Sequence, residues 1–386
     1  MANASIHDQK WLLPVPCPGT TTRWPVYTTA RLPVLLTALL LLAACTSDGP
    51  QAQALAEPAE SSAETEEASL VDEPGWSLAS DMDGHWLSVV FLDRQKGFAA
   101  MNIGQRTPLP GLYRTGDGGT TWSRVDHPEL GPLSGITEAP DGTLWVWGDH
   151  RELGDDPNFF NIIGKMIASS SDGGDSWQVR REFSTVASLS RPVFSGQTGW
   201  ILENESGGGM LLRTSDGGEN WESVRSLPGG RFIGSYLRDE RNGWISGFTP
   251  GDAGTRAGLI LHTSDGGTTW TPVLEDAGGS LMAIAVDGRS RLWAVGQNGL
   301  VFRSDEGEHW EQVDLGSRTW MLGIGFRGER GFIYGRGETF MSTDGGETWH
   351  RDDVLDDLLV SSIFFIDEEN GWLASPHDLI LRYRAP

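Results

Sequence analysis

Six aspartates recur in this chain in nearly the same eight-residue setting, with a tryptophan five places after each: Asp117 and Trp122, Asp172 and Trp177, Asp216 and Trp221, Asp265 and Trp270, Asp305 and Trp310, Asp344 and Trp349. A carboxylate beside a hydroxyl is raw material for acid–base chemistry or for a calcium site. Each copy, such as "TSDGGTTW" at 263–270, is self-sufficient, so catalysis or metal binding would mean six equivalent sites. Calcium loops need several oxygens converging within about a dozen residues, and these boxes offer fewer. The same residues make a tight turn. An Asp opening a turn accepts backbone N–H groups two or three residues on, Gly supplies the left-handed backbone, and a Ser or Thr two places before Asp adds a further bond. The Trp buries a large apolar surface while its indole N–H can still find a partner. The spacing therefore predicts a structural hairpin turn. The fifth copy, "RSDEGEHW", is degenerate, with Arg303 in the hydroxyl place and Glu306 for Gly.

The elements around the boxes follow from their period. Box tryptophans lie 55, 44, 49, 40 and 39 residues apart, a unit that suits one four-stranded propeller blade. Each unit also holds a short alternating strand with an aromatic at Phe98, Trp145, Trp200, Trp244, Trp293, Phe332 or Trp372, which makes seven strands against six boxes. The last unit has three strands, and "GWSLASDMDGHW" supplies a lone strand from Trp76. The ten-residue step from Trp76 to Trp86 matches that from Trp310 to Trp320. The fold class expected is therefore all-β: a seven-bladed β-propeller over residues 76–386, its ring closed by the N-terminal strand, with no exposed blade edge left at the seam.

The 386 residues include 51 Gly and 17 Trp, in keeping with many turns and aromatic anchors. The apolar run 32–42 behind Arg23 and Arg31 reads as an export signal over residues 1–44. Leu42-Ala43-Ala44-Cys45 resembles the lipobox of bacterial lipoproteins, which would make Cys45 the lipidation site. With Cys17 lost in the leader, no intrachain disulfide is expected. Residues 45–75 carry eight acidic residues and no Lys or Arg, which reads as a disordered tether. The formal charge of −24 becomes −26 without residues 1–44, which hold Asp8 against Lys10, Arg23 and Arg31. Such a surface excludes nucleic acid as a partner, since that binding needs clustered cations.

The paired "GW" strand and box, as in "VVFLDRQKGFAAMN", "IFFIDEENGWLAS" and "LILHTSDGGTTW", resemble the photosystem II stability and assembly factor family of Asp-box, or bacterial neuraminidase repeat, propellers. The resemblance spans Trp76 to Arg384. It implies a protein on the outer side of a membrane, a lipoprotein in cyanobacteria and lumenal in chloroplasts, that binds a newly made reaction-centre subunit and has no enzymatic activity. Two alternatives stand beside it: a general lipoprotein interaction module without photosynthetic role, and a sialidase-like glycosidase. The last needs three arginines on a carboxylate, a Tyr with an acidic partner and an acid/base Asp; mature tyrosines number four, Tyr113, Tyr236, Tyr334 and Tyr383.

A binding module would use the face opposite the box turns, where the long connections "NIGQRTPLPG", "DHRELGDDPNFFNII" and "FTPGDAGTRAG" fall. Phe159 and Phe160 are apolar in an otherwise polar loop and are candidate partner contacts. Arg191, Arg231 and Arg318 sit just before or at inner strands, near the channel mouth on that face, and could grip a carboxylate or an acidic peptide end. No His, Cys or carboxylate cluster has metal-ligand spacing, and neither a Gly-Lys-Ser loop nor a nucleophile elbow occurs, so no cofactor or metal is expected. The partner expected is a membrane protein or peptide outside the cytoplasm, reached from a lipid-anchored position.

Overall fold

The computed structural model describes residues 74–385 apart from 103–108, 128, 154–159, 185–186, 206–207, 228–229 and 252–253. The described residues all fall in the unit Ser69–Pro386. The export signal, Cys45 and the segment 45–73 lie outside the described residues, as does Phe159.

Short runs of alternating residues, each bounded by Gly-rich turns, form strands of two to eleven residues that pair antiparallel with their neighbours in sequence. Among the described residues they make seven sheets, one for each repeat. Blades 1 to 6 span 86–124, 130–183, 188–227, 231–274, 281–312 and 321–351. Blade 7 joins Ser362–Phe365, Asn370–Ser375 and Leu379–Arg384 to Gly75–Ser80, which pairs with Leu379–Arg384 in the register Trp76 to Tyr383 and Leu78 to Leu381. The seven-bladed ring closed by its N-terminal strand is thus as expected. Each blade's second strand is buried on both faces; in blade 7 all of Asn370–Ser375 is.

The core lies between blades rather than within one. A representative cluster joins Trp145, Trp147 and Ile167 of blade 2 to Ile201, Leu212 and Trp221 of blade 3. Stability follows from this layering, because a single blade cannot bury its own faces.

Two of the long connections prove to be hairpins. In blade 2 the strands Leu144–Leu153 and Phe160–Ser170 run on until Leu153 pairs with Phe160, and in blade 4 Pro250 pairs with Arg256. Phe160 therefore opens a strand. Ile162 and Ile163, adjacent on that arm and so on its opposite faces, are both exposed.

Candidate functional site

In an intact box the carboxylate is bonded within its own turn. Asp265 Oδ1 accepts the Thr269 backbone N–H at 2.8 Å and the Thr263 hydroxyl at 2.8 Å, and Oδ2 accepts the Thr269 hydroxyl at 2.7 Å. The Thr263 hydroxyl in turn accepts the Gly267 N–H at 3.0 Å. The main backbone donor to Asp is thus four residues on, further than the two or three expected from the sequence. Both box glycines sit at positive φ, 73° and 92° for Gly266 and Gly267. Trp122 and Trp221 donate their indole N–H to the second box glycine's carbonyl at 2.8 and 3.0 Å. Three of the roughly four acceptor positions of the carboxylate are thus taken up within its own turn, and no cluster of three potential metal ligands occurs among the described residues.

The boxes also join blades. The aromatic on the second strand of one blade packs on the second glycine of the next blade's box: a Cβ on Gly218 would stand 2.2 Å from the Trp145 ring, and one on Gly174 2.1 Å from Phe98. The next box's Trp meets the same aromatic, Trp145 with Trp221 at 6.0 Å and Trp200 with Trp270 at 5.5 Å. Trp372 of blade 7 donates to Gly118 O of blade 1 at 2.9 Å, and Trp244 of blade 4 to Gly307 O of blade 5 at 2.9 Å. One short sequence therefore closes a hairpin and seats its neighbour.

The fifth box is degenerate in a different way from that expected. Leu292 pairs with Ser304, as Gly97 does with Thr115, so Ser304 holds the hydroxyl place and Arg303 the preceding one. The box is one residue short. Ser304 accepts the Gly307 N–H three residues on at 2.8 Å, where intact boxes span four, and Asp305 makes no box bond among the described residues.

These hydrogen bonds lower the pKa of the Asp in the intact boxes. The Thr269 backbone N–H, with its hydroxyl, holds Asp265 at about 2, and the Asn220 side-chain amide holds Asp216 at about 2. Asp172 and Asp344 are pulled lower still, by Ser176 and Thr348. Folded values below the unfolded one, about 3.9, give stability that is complete above pH 4 and is lost as pH falls through about 2. Thermal melting from pH 5 to 2 is therefore expected to fall steeply below pH 4. Asp265→Asn is expected to lower the plateau and flatten that acid limb; an unchanged limb contradicts the assignment.

The central channel is the other concave feature. A cavity of about 430 Å³ is lined by the inner strands of all seven blades. Most inner strands carry a bulge two residues in, as between Trp86 and Ser88, Phe232 and Gly234, Leu281 and Ala283, and Met321 and Gly323. The skipped residue turns to the axis. The resulting ring is Leu87, Ser134, Ile233, Met282 and Leu322, with Ser361 in blade 7 and Arg191 in blade 3. Among the described lining residues Arg191 carries the one charge, and there is no carboxylate.

The three arginines proposed from sequence part company here. Arg191 stands in the channel, open to its solvent yet walled by protein on every side, and that enclosure lowers its pKa. Arg231 lines a second cavity of about 310 Å³ between blades 3 and 4, with Arg256, Phe248 and Asn204. The two cavities share Ile233 and Met282. Arg318 is exposed before the inner strand of blade 6 and lines neither. Arg256, over the Phe248 ring at 4.7 Å, and Arg336, over Trp320 at 4.5 Å, share this face and escaped the sequence reading. Their signal was present as an Arg at the start of a third strand and one at the end of a second.

Fold and box geometry together define a seven-bladed Asp-box β-propeller. The family description "BNR/Asp-box repeat" matches residues 340–351. The particular relatives are as follows. The photosystem II assembly lipoprotein Ycf48 of Picosynechococcus sp. is 29% identical over 115 residues, a match that spans 27% of this chain and 34% of that protein. A structure of YCF48 bound to D1 peptide superposes with a TM-score of 0.57 at 20% identity, covering 82% of this chain and 97% of that one. YCF48 from Cyanidioschyzon merolae gives 0.57 at 17% identity, covering 80% and 99%.

Proposed function

We propose that this protein is a non-enzymatic binding propeller that docks a membrane-protein or peptide partner on the face bearing the long hairpins. It is held outside the cytoplasm by a lipid on Cys45 and the acidic segment 45–75. The observation that carries this reading is the placement of cations. In a chain of net charge −24, Arg231, Arg256, Arg318 and Arg336 all lie on that face, and none is ion-paired with a carboxylate among the described residues. Unpaired guanidinium groups, two of them flattened on aromatic rings, suit an acidic or carboxylate-bearing partner. On the blade 2 hairpin, the exposed Ile162 and Ile163 offer apolar contact, and Phe159 and Phe160, next to them in sequence, are proposed to add to it.

Similarity to an assembly lipoprotein and to a propeller solved with a peptide supports a partner of that class, and suggests a photosystem reaction-centre protein where the host is photosynthetic. The glycosidase alternative finds one arginine where it needs three and no acid/base carboxylate among the described channel-lining residues. Crosslinking of native membranes followed by mass spectrometry would separate an assembly factor from a general module by the identity of the partners. Replacing Arg231 and Arg256 together by Glu is expected to cut their recovery at least about tenfold, since reversing two contact charges costs well over 1.4 kcal/mol. Arg94→Glu, on the opposite face beside Asp367 and Glu369, serves as the control. Equal recovery from both variants would remove this face as the docking surface.

A further inference from the structure

The channel differs chemically from the docking face. Its axial ring is apolar or hydroxylic at six positions and cationic at one, Arg191. Blade 6, three blades away around a ring of seven and so on the opposing wall, contributes Tyr334. Tyr334 reaches the axis because the residue paired with it is Gly323, where a Cβ would stand 2.2 Å from the Tyr hydroxyl and ring. Burial raises the Tyr334 pKa, so the hydroxyl keeps the proton that it can donate. Arg191 and Tyr334 line the same cavity from these two blades. Two donors thus converge between walls made of Val90, Ile136, Met282 and Leu322.

We propose that the channel is a binding site for a small monocarboxylate with an apolar body. The carboxylate would bridge the Arg191 guanidinium and the Tyr334 hydroxyl, and the body would lie against the aliphatic ring. One guanidinium neutralises one charge, so a dianion would leave an unpaired charge among apolar walls, at high cost. A cavity of about 430 Å³ is at the low end for ligand pockets, roughly 300–1,000 Å³, and fits an aryl- or alkyl-carboxylic acid. The chain's negative charge does not forbid entry. The box carboxylates lie on the opposite face, and exposed charges are screened beyond about 8 Å at physiological salt.

The test is calorimetric titration of the whole propeller with 3-phenylpropionate and, separately, with the neutral 3-phenylpropanamide. The acid is expected to bind and the amide to bind at least about tenfold more weakly, because a hydrogen bond to a charged group is worth about 1.5–3 kcal/mol. Arg191→Gln and Tyr334→Phe should each weaken the acid, Arg191→Gln by about tenfold or more. Arg94→Gln, on the box-turn face beside Asp367 and Glu369 and away from both cavities, should leave it unchanged. Equal binding of acid and amide overturns the proposal, as does acid affinity indifferent to Arg191→Gln in a variant with an unchanged melting transition. A tripeptide ending in Phe with a free carboxylate that displaces the acid at lower concentration than the acid itself needs would overturn the small-molecule assignment. Partner recovery by the Arg191→Gln protein reads the docking face separately, so the two proposals fail independently.

Discussion

Gly218→Ala is expected to destabilise the propeller by about 2–4 kcal/mol, more than any single exposed change on its surface. The added methyl meets two obstacles. The backbone there has φ of +91°, where an L side chain costs about 1–2 kcal/mol, offset in part by about 0.4–1 kcal/mol of lost unfolded-state freedom. Its Cβ would stand 2.2 Å from the Trp145 ring of the preceding blade, and overpacking of that kind typically costs about 1–3 kcal/mol. Gly142→Ala isolates the first term, because Gly142 has φ of +84° and nothing within 4 Å of a Cβ. In urea unfolding Gly142→Ala should lose about 1 kcal/mol and Gly218→Ala clearly more, with equal slopes. Trimming the ring relieves the clash, so Trp145→Leu and Gly218→Ala should be strongly non-additive. Equal losses at the two glycines would mean that the boxes do not seat neighbouring blades.

That coupling between blades was invisible in the sequence, while the boxes themselves were plain, and the difference is one of range. An Asp, two Gly and a Trp within eight residues satisfy one another locally, so the letters suffice to read the turn. The same holds for the seven "GW" strands and for the closing strand at Trp76, which a count against six boxes located. What escaped depends on pairing between strands. The bulge that turns Leu87 and Met282 to the axis is a register event, with no composition of its own. Tyr334 lines the channel because Gly323 lies opposite, a pairing that neither residue announces by its own type. Arg303 looked like the hydroxyl position because the box was counted from Asp305; pairing counts from the strand and finds Ser304. The hairpin of blade 2 read as a loop because Asp149 to Glu152 are polar, and strand pairing overrode that composition.

Removing the strand Gly75–Ser80 is expected to open the ring and expose an aggregation-prone edge. Leu379–Arg384 would then present one unpaired side along six residues, a template for pairing with another chain. Trp76 carries much of the closure. It packs on Tyr383 at 5.2 Å and Phe365 at 6.1 Å, and Phe365 stacks on Phe332 of blade 6 at 4.1 Å, so Trp76 takes the part that a box Trp plays in the other blades. Its indole N–H also donates to Asp352 Oδ2 at 3.0 Å. Burial raises the Asp352 pKa, and the indole bond opposes that rise by favouring the charged form. Trp76→Phe keeps the ring and loses the bond, so its cost should appear at neutral pH and fade as Asp352 is protonated in acid. Trp76→Ala loses both and should cost about 2–4 kcal/mol, somewhat below the range for a fully buried Trp because Trp76 is half-buried. Protein beginning at residue 81 should elute as oligomers by size exclusion. A peptide of residues 74–81 added in trans should restore the monomer by pairing with Leu379–Arg384, as strand addition does at other open edges. A truncated chain that stays monomeric with an unchanged melting transition would show that blade 7 holds without its fourth strand.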